Sequence, residues 1–324
     1  MRRREFIRFV GAATVAPFSA RAQQPLPIVG FLYAGPPEPN GKRVAAFRKG
    51  LSDTGHVEGR NVAVEFRWAE KEEQLPELAA GLIRQRVAVI ATPVSTQATL
   101  AARAATTTTP IVFAVGGDPV ALGLVASLNR PGGNITGISI LNVELMPKRL
   151  GLLREIAPQA TRFGVLVNPE TAFTPAVIKS LQAGMQVLGL QVEVFRASTD
   201  AEIEASFVDF SQRPGGALLL GPDAFFTSRS GLITALAARY SIPTMYVIRE
   251  FAAAGGLLSY GPDIVNTCEQ VGAYSGRIMA GEKPADLPVV QSAKFQMVIN
   301  LRAAKSLGLA VPPTLLATAD EVIE

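Results

Sequence analysis

From residue 27 to residue 248, short apolar runs alternate with longer stretches of helical period. PIVGFLY (27–33) reads as a buried strand, and RVAAFRKGLSDTG (43–55) as an amphipathic helix halted at Gly55. NVAVEFRWA (61–69) alternates as a strand does, EEQLPELAAGLIRQR (72–86) has a helical period, and VAVIAT (87–92) is again a strand. TQATLAARAAT (96–106), PIVFAV (110–115) and NITGISI (134–140) continue as helix, strand, strand. The second half repeats the style, from ELMPKRLGLLREIA (144–157) and RFGVLVN (162–168) through GALLLG (216–221) and RSGLITALAARY (229–240) to IPTMYVI (242–248). Apolar strands separated by helices predict an α/β fold with parallel sheets buried on both faces.

The pattern has an internal echo. TLAARAATTTTPIVFAV (99–115) and ALAARYSIPTMYVI (235–248) both run from a helix ending Leu-Ala-Ala-Arg through a short link and a proline into an apolar strand. Each is preceded by a strand and a polar loop, VAVIATPVST (87–96) in one case and GALLLGPDAFF (216–226) in the other. The turn RPGG also occurs twice, at 130–133 and 213–216. Together with a length beyond what one core usually organises, this predicts two doubly wound parallel-sheet lobes. Ligands of such sheets sit beyond the carboxyl ends of the strands, where loops enter helix N-termini. Facing lobes would set the loop 92–96 against the loop 221–225 across a cleft.

The first 22 residues read as a cleaved export signal. Arg2, Arg3 and Arg4 are a positive n-region, 9–18 an apolar segment too short to span a bilayer, and Ala20-Arg21-Ala22 a cleavage site. Arg3, Arg4, Phe6, Ile7 and Arg8 also follow a twin-arginine pattern, and the mature chain is expected to begin near Gln23. Five of the 31 basic residues and one of the 27 acidic ones lie in this leader, which leaves 26 of each. The excess positive charge therefore belongs to the leader, and no nucleic-acid partner is expected. No later segment has transmembrane length without charges or Pro/Gly interruptions, so a soluble periplasmic protein is expected.

Signs of catalysis are scarce. The single histidine, His56, lies in a turn, and the single cysteine, Cys268, can form no internal disulfide. No Cys/His cluster has metal-ligand spacing, so neither metal nor cofactor is expected. There is no G-x-S-x-G elbow, and GPPEPNGKR (35–43) has the wrong spacing for a phosphate loop.

Binding chemistry is better represented. Ser95 and Thr96 stand where a helix N-terminus favours a carboxylate, although plain N-capping explains them equally. Asp118 in VGGDPV (115–120) suits an ammonium group or a helix cap. Tyr33, Tyr246 and Tyr260 end strands, and Phe225 lies in a polar loop; such aromatics suit an apolar or ring-bearing ligand, or simply the core.

AFRKGLSDTGHVEGRNVAVEFRWAE (46–70), PIVFAVGGDPVALGLVASLNRPGGNITGIS (110–139), PKRLGLLREIAP (147–158), REFAAAGGLLSYG (249–261) and the C-terminal KFQMVINLRAAKSLGLAVPPTLLATADEVIE (294–324) resemble the ABC-transporter substrate-binding protein family that includes the TrpX-like periplasmic proteins. The resemblance covers essentially the whole mature chain. It implies a type I periplasmic binding fold, two α/β lobes joined by a three-strand hinge. It implies a monomer that captures a small solute, an amino acid and aromatic ones among them, for a permease in the inner membrane. The matching loops put Ser95 and Thr96 forward for a carboxylate, Asp118 for an ammonium group, and Asp223 and Phe225 on the facing wall. The chain departs from the family at YAGPP (33–37), which brings Tyr33 near the cleft. On this reading the first lobe comprises 26–141 and 262–291, and the second 142–261 and 292–324. Two alternatives stand beside it, a secreted enzyme drawing an acid/base pair from Asp118, Asp223 and Glu250, and a protein that presents its ligand to a sensor.

Overall fold

The structure, a computed structural model, describes residues 25–37 and 40–324. The expected export signal at 1–22 and the cleavage point near Gln23 lie outside the described residues.

The chain opens with β1 (Ile28–Ala34), α1 (Gly41–Asp53), β2 (Ala63–Ala69), α2 (Leu75–Arg84), β3 (Val89–Thr92), α3 (Thr96–Ala105), β4 (Ile111–Val115) and β5 (Ile135–Ser139). It continues with α4 (Met146–Ile156), β6 (Arg162–Val167), α5 (Thr174–Leu188), β7 (Val192–Arg196), α6 (Asp200–Ser211), β8 (Gly216–Leu220), α7 (Ala224–Ser228), α8 (Ser230–Arg239), β9 (Thr244–Tyr246), α9 (Arg249–Ala253) and β10 (Leu258–Pro262). The remainder is α10 (Ile264–Met279), β11 (Val290–Gln291), β12 (Phe295–Asn300), α11 (Leu301–Ser306), α12 (Pro313–Thr318) and β13 (Glu321–Ile323).

Two sheets result. One has the order β2-β1-β3-β4-β5-β11 and the other β7-β6-β8-β9-β10-β12-β13. Their first five strands are laid down in the same 2-1-3-4-5 order, and the sequence echo falls on equivalent units, α3–β4 and α8–β9. The pairs are parallel except β10 with β12. That exception was not expected from the alternation. It arises because the chain returns from β11 through 292–294 and meets β10 at its C-terminal end, Phe295 opposite Pro262. The chain passes between the sheets three times, after β5, after β10 and after β11.

Local chemistry fixes the helix starts that matter for the loops between them. Ser95, Asp223 and Asp263 each accept a hydrogen bond from a backbone N–H in the first turn of α3, α7 and α10. Pro76, Pro147 and Pro175 occupy first turns, where a missing N–H costs nothing. Helix α10 follows β10 of the second sheet but packs along α1 beneath the first. Glycines permit that approach: a Cβ on Gly50 would collide with the Glu269 carbonyl oxygen, and one on Gly272 with that of Phe47. The apolar core lies on both faces of each sheet. One cluster crosses between the lobes, joining Ala46, Ile264 and Cys268 to Tyr246, Val247, Ile248 and Phe251. Among the described residues no helix is long and apolar enough to cross a membrane, and no group of His, Cys, Asp and Glu is arranged to hold a metal ion.

Candidate functional site

The strand-end loops of the two sheets face each other and enclose a small cavity of about 60 Å³. One wall comes from the first sheet, with Tyr33 ending β1, Val94 and Thr96 after β3, and Gly116 after β4. The opposite wall comes from the second, with Thr171 and Phe173 after β6 and Pro222 and Asp223 after β8. Asn142, on the first passage between the sheets, lines it too. A wider pocket of about 650 Å³ adjoins it, shares Tyr33, Arg43, Ala224, Thr227 and Ile264 with it, and reaches Lys42, Arg249 and Gln296. That volume lies within the range of pockets that hold small molecules.

The first wall is built around the start of α3. Ser95 is buried, and its Oγ accepts from Ala98 N and Ala34 N, both at 3.3 Å, so it ties the end of β1 to the helix. Thr96 follows as the first helical residue, and its side chain makes no hydrogen bond to a described residue. Val94 has φ 55°, a left-handed conformation unusual for a β-branched side chain. It packs against apolar clusters of both lobes, which hold it there.

On the opposite wall, Asp223 caps α7 through Phe226 N at 3.0 Å. Its other carboxylate oxygen accepts from Thr171 Oγ1 and from Asn168 Nδ2, the latter at 3.3 Å. A Cβ on Gly116 would meet Phe173 Cζ at 3.3 Å and Asn142 Nδ2 at 3.4 Å, so the glycine leaves the space between them open.

Two buried arginines flank the cavity. Arg43 donates to Tyr33 Oη at 2.6 Å and to Glu250 Oε1 at 2.9 Å. Burial opposes its charge, but Tyr33 and Glu250 outweigh burial and raise its pKa. Burial also raises the Tyr33 pKa, so Tyr33 remains a neutral phenol at neutral pH. Arg149 is fully buried and has no carboxylate partner among the described residues. It donates to the carbonyls of Asn142 and Tyr260 and to Asn142 Oδ1. Burial pulls its pKa down to about 9, which leaves it charged at neutral pH.

The residues singled out in the sequence separate into three groups. Tyr33, Thr96 and Asp223 line the small cavity, and Ser95 stands just behind its wall. Phe225 lines a different pocket, with Glu72, Glu73 and Glu170, where its ring lies under Arg229 at 4.0 Å. Asp118, Tyr246 and Tyr260 are not brought to the cavity. Asp118 is exposed and caps its own turn through Val120 N at 2.8 Å. Tyr246 is fully buried and stacked on Phe251, because the side chain at the end of β9 turns inward to the core. Tyr260 stacks on Phe295 of the neighbouring strand β12. Glu250 is paired with Arg43, so Asp118, Asp223 and Glu250 do not converge on one point. The sequence reading missed Arg43, Asn142, Thr171 and Phe173. None carries a motif; only the position of Asn142 between the two halves hinted at a passage between lobes.

The sequence model of a family described as ABC transporter substrate binding protein matches residues 40–323. A protein of Clostridioides difficile named tyrosine-binding protein is 25% identical over 269 residues, covering 83% of this chain and 77% of its own. A Streptococcus pneumonia ABC domain solved in complex with L-Trp superposes with a TM-score of 0.85 at 22% identity, covering 92% of this chain and 100% of its own. The ligand-free, open structure of a Clostridium difficile substrate-binding protein with adhesive properties superposes at 0.68 with 24% identity, covering 92% and 99%.

Proposed function

This chain belongs to the ABC transporter substrate-binding protein family, and we propose that it is the extracytoplasmic solute-binding component of an ABC importer, holding an amino acid between its lobes. The observation that carries the reading is the cavity itself. Its first-lobe wall offers hydrogen-bond donors at the start of α3 with Thr96, and the passage between the lobes adds the amide of Asn142. Its second-lobe wall offers the carboxylate of Asp223. A helix N-terminus favours a carboxylate and an aspartate favours an ammonium group, so the two walls are complementary to the two ends of an α-amino acid.

Tyr33 and Phe173 add aromatic surface, and the wider pocket beyond Arg43 gives a side chain room. Both features suit an aromatic amino acid, in keeping with the tyrosine-binding name of one relative and the L-Trp complex of one structural neighbour. The apolar seam through Ala46, Ile264 and Cys268 and the Arg43–Glu250 pair both join the lobes, as a closed state requires. On this reading the protein works in the periplasm as a monomer and delivers its solute to a permease. The first lobe is formed by 26–141 with 262–291 and the second by 142–261 with 292–324.

Thermal-shift screening of the chain from Gln23 against amino acids, small carboxylates and sugars tests the proposal. L-tyrosine or L-tryptophan at a hundredfold excess over its dissociation constant is expected to add about 2.7 kcal/mol of stability. A shift confined to sugars, or none with any amino acid, would overturn the amino-acid assignment.

A further inference from the structure

We propose that Asn142 is a specificity-determining contact of the cavity, a hydrogen-bond donor that selects a carboxylate, and that Arg149 is the positioning residue that turns its amide to face the ligand. The inference rests on the proposed solute-binding role of the cleft and names two residues that serve it.

The argument begins with Arg149. Its guanidinium is completely buried, and its hydrogen bonds to oxygen all go to neutral acceptors. Nη1 donates to the Asn142 carbonyl at 3.0 Å, Nη2 to Asn142 Oδ1 at 2.9 Å and Nε to the Tyr260 carbonyl at 2.7 Å. A guanidinium has only donors, so the side-chain oxygen of Asn142 must be the end that faces it. The opposite end, Nδ2, is thereby fixed as the end left over.

Nδ2 makes no hydrogen bond to a described residue, although Asn142 is only 8% exposed and lines the cavity. It stands 3.4 Å from where a Cβ on Gly116 would be, in the gap that the glycine keeps open beside Phe173. Nδ2 is not sealed from the cavity, so its acceptor there is water or a ligand oxygen that takes the place of water. The charge of Arg149 on Oδ1 polarises the amide and makes its N–H groups stronger donors. Such donors favour an anionic oxygen over a neutral one. The hydroxyl of Thr96 and the N-terminus of α3 share the cavity and favour the same charge.

The same guanidinium joins the first passage between the lobes, at Asn142, to Tyr260 within β10, the strand that leads into the second passage. Occupancy at Asn142 is therefore felt by the residue that braces the hinge.

Affinities of wild type, Asn142→Asp and Arg149→Lys for L-tyrosine and L-tyrosinamide, measured by calorimetry, test this. Asn142→Asp keeps the shape and pairs with Arg149, so it is expected to fold. It should bind L-tyrosine about 10- to 100-fold more weakly, the range for a hydrogen bond to a charged group, and L-tyrosinamide no worse. Arg149→Lys keeps the charge without the fork and should reduce the preference for the carboxylate; a merely structural role would weaken both probes equally. Equal losses for the two probes, or unchanged binding of L-tyrosine in Asn142→Asp, would overturn the inference while leaving amino-acid binding intact.

A second measurement does not depend on the amino-acid reading. The side-chain amide pair of Asn142, identified in ¹H–¹⁵N spectra by its loss in Asn142→Asp, should shift with acetate and not with acetamide. If L-tyrosine and L-tryptophan fail to bind but acetate shifts this pair, the inference stands and the amino-acid assignment falls. If acetate leaves the pair unmoved, the inference falls.

Discussion

Arg43, in the first turn of α1, lies 2.9 Å from Glu250 of α9, and the two residues hang from different sheets. The Arg43 side chain is 8% exposed and that of Glu250 35%, so the pair is screened on one side only. It is a charged tie between the lobes, set at the junction of the small cavity and the wider pocket.

Glu250→Gln keeps the volume of the tie and an oxygen that can accept from Arg43, but removes the charge, leaving a buried guanidinium with only neutral partners. The expected loss of stability is about 1–2 kcal/mol, below the cost of breaking a fully buried pair because Glu250 is partly solvated. Small-angle scattering of the ligand-free protein should show a larger radius of gyration than wild type. An unchanged radius would mean that the tie does not hold the lobes together.

Asp223→Asn preserves the cap of α7, since asparagine caps as well as aspartate. Its melting temperature should fall modestly, because Thr171 Oγ1 can turn to accept from the new amide while the bond from Asn168 Nδ2 is lost. Affinity for L-tyrosine should fall about tenfold or more, as expected when an ammonium group loses an ionised partner. Affinity for 3-(4-hydroxyphenyl)propionate, which lacks the ammonium group, should be unaffected. Equal losses for both compounds would remove Asp223 from the ammonium site.

Two glycine-to-alanine changes should act in opposite directions. Gly272→Ala drives a methyl group into the Phe47 carbonyl oxygen at the α1–α10 crossing, where backbone leaves it no space. It should cost about 3 kcal/mol in urea unfolding, as overpacking does. Gly151, inside α4, has open space at its Cβ, and Gly151→Ala should stabilise by about 0.5–1 kcal/mol through helix propensity. A mild effect at Gly272 would mean that the two helices can slide apart.

Stability should decline on the alkaline side through Cys268. Burial pushes this thiol up to about 12 from an ordinary value of 9.0. The folded state thus keeps a proton that the unfolded chain loses from about pH 9, so this contribution is fully present below pH 9 and is lost as the pH rises towards 12. The slope is about 1.4 kcal/mol per pH unit. Cys268→Ala should flatten the dependence of urea midpoints between about pH 9 and 10.5, an interval within that range. Parallel curves for the two proteins would show that the thiol does not carry it.

Much of the fold was legible in the sequence because strand and helix periods are local properties. PIVGFLY, PIVFAV and GALLLG are apolar throughout because strands covered on both faces need no polar side. The echo between 99–115 and 235–248 pointed to two similar sheets, and these segments do occupy equivalent places in them. The antiparallel β12 escaped that reading, since its direction depends on where the chain re-enters the second sheet.

The candidate site was legible only where a loop follows a strand directly. Thr96 and Asp223, singled out in the sequence, line the cavity because the strand-end loops of the two parallel sheets face each other. Tyr246 does end β9 but turns into the core, and Tyr260, read as a strand end, lies inside β10 against Phe295, because a sequence shows neither where a strand stops nor which way its side chains turn. Alternation and the helix-start chemistry at Ser95, Asp223 and Asp263 are written in neighbouring residues, and the sequence by itself determined them. Tertiary structure alone decided that Arg43 meets Glu250, 207 positions away, and that Arg149 turns the amide of Asn142. Such contacts arise when two separately folded sheets come together, and no local period encodes the side-chain directions that meet between them.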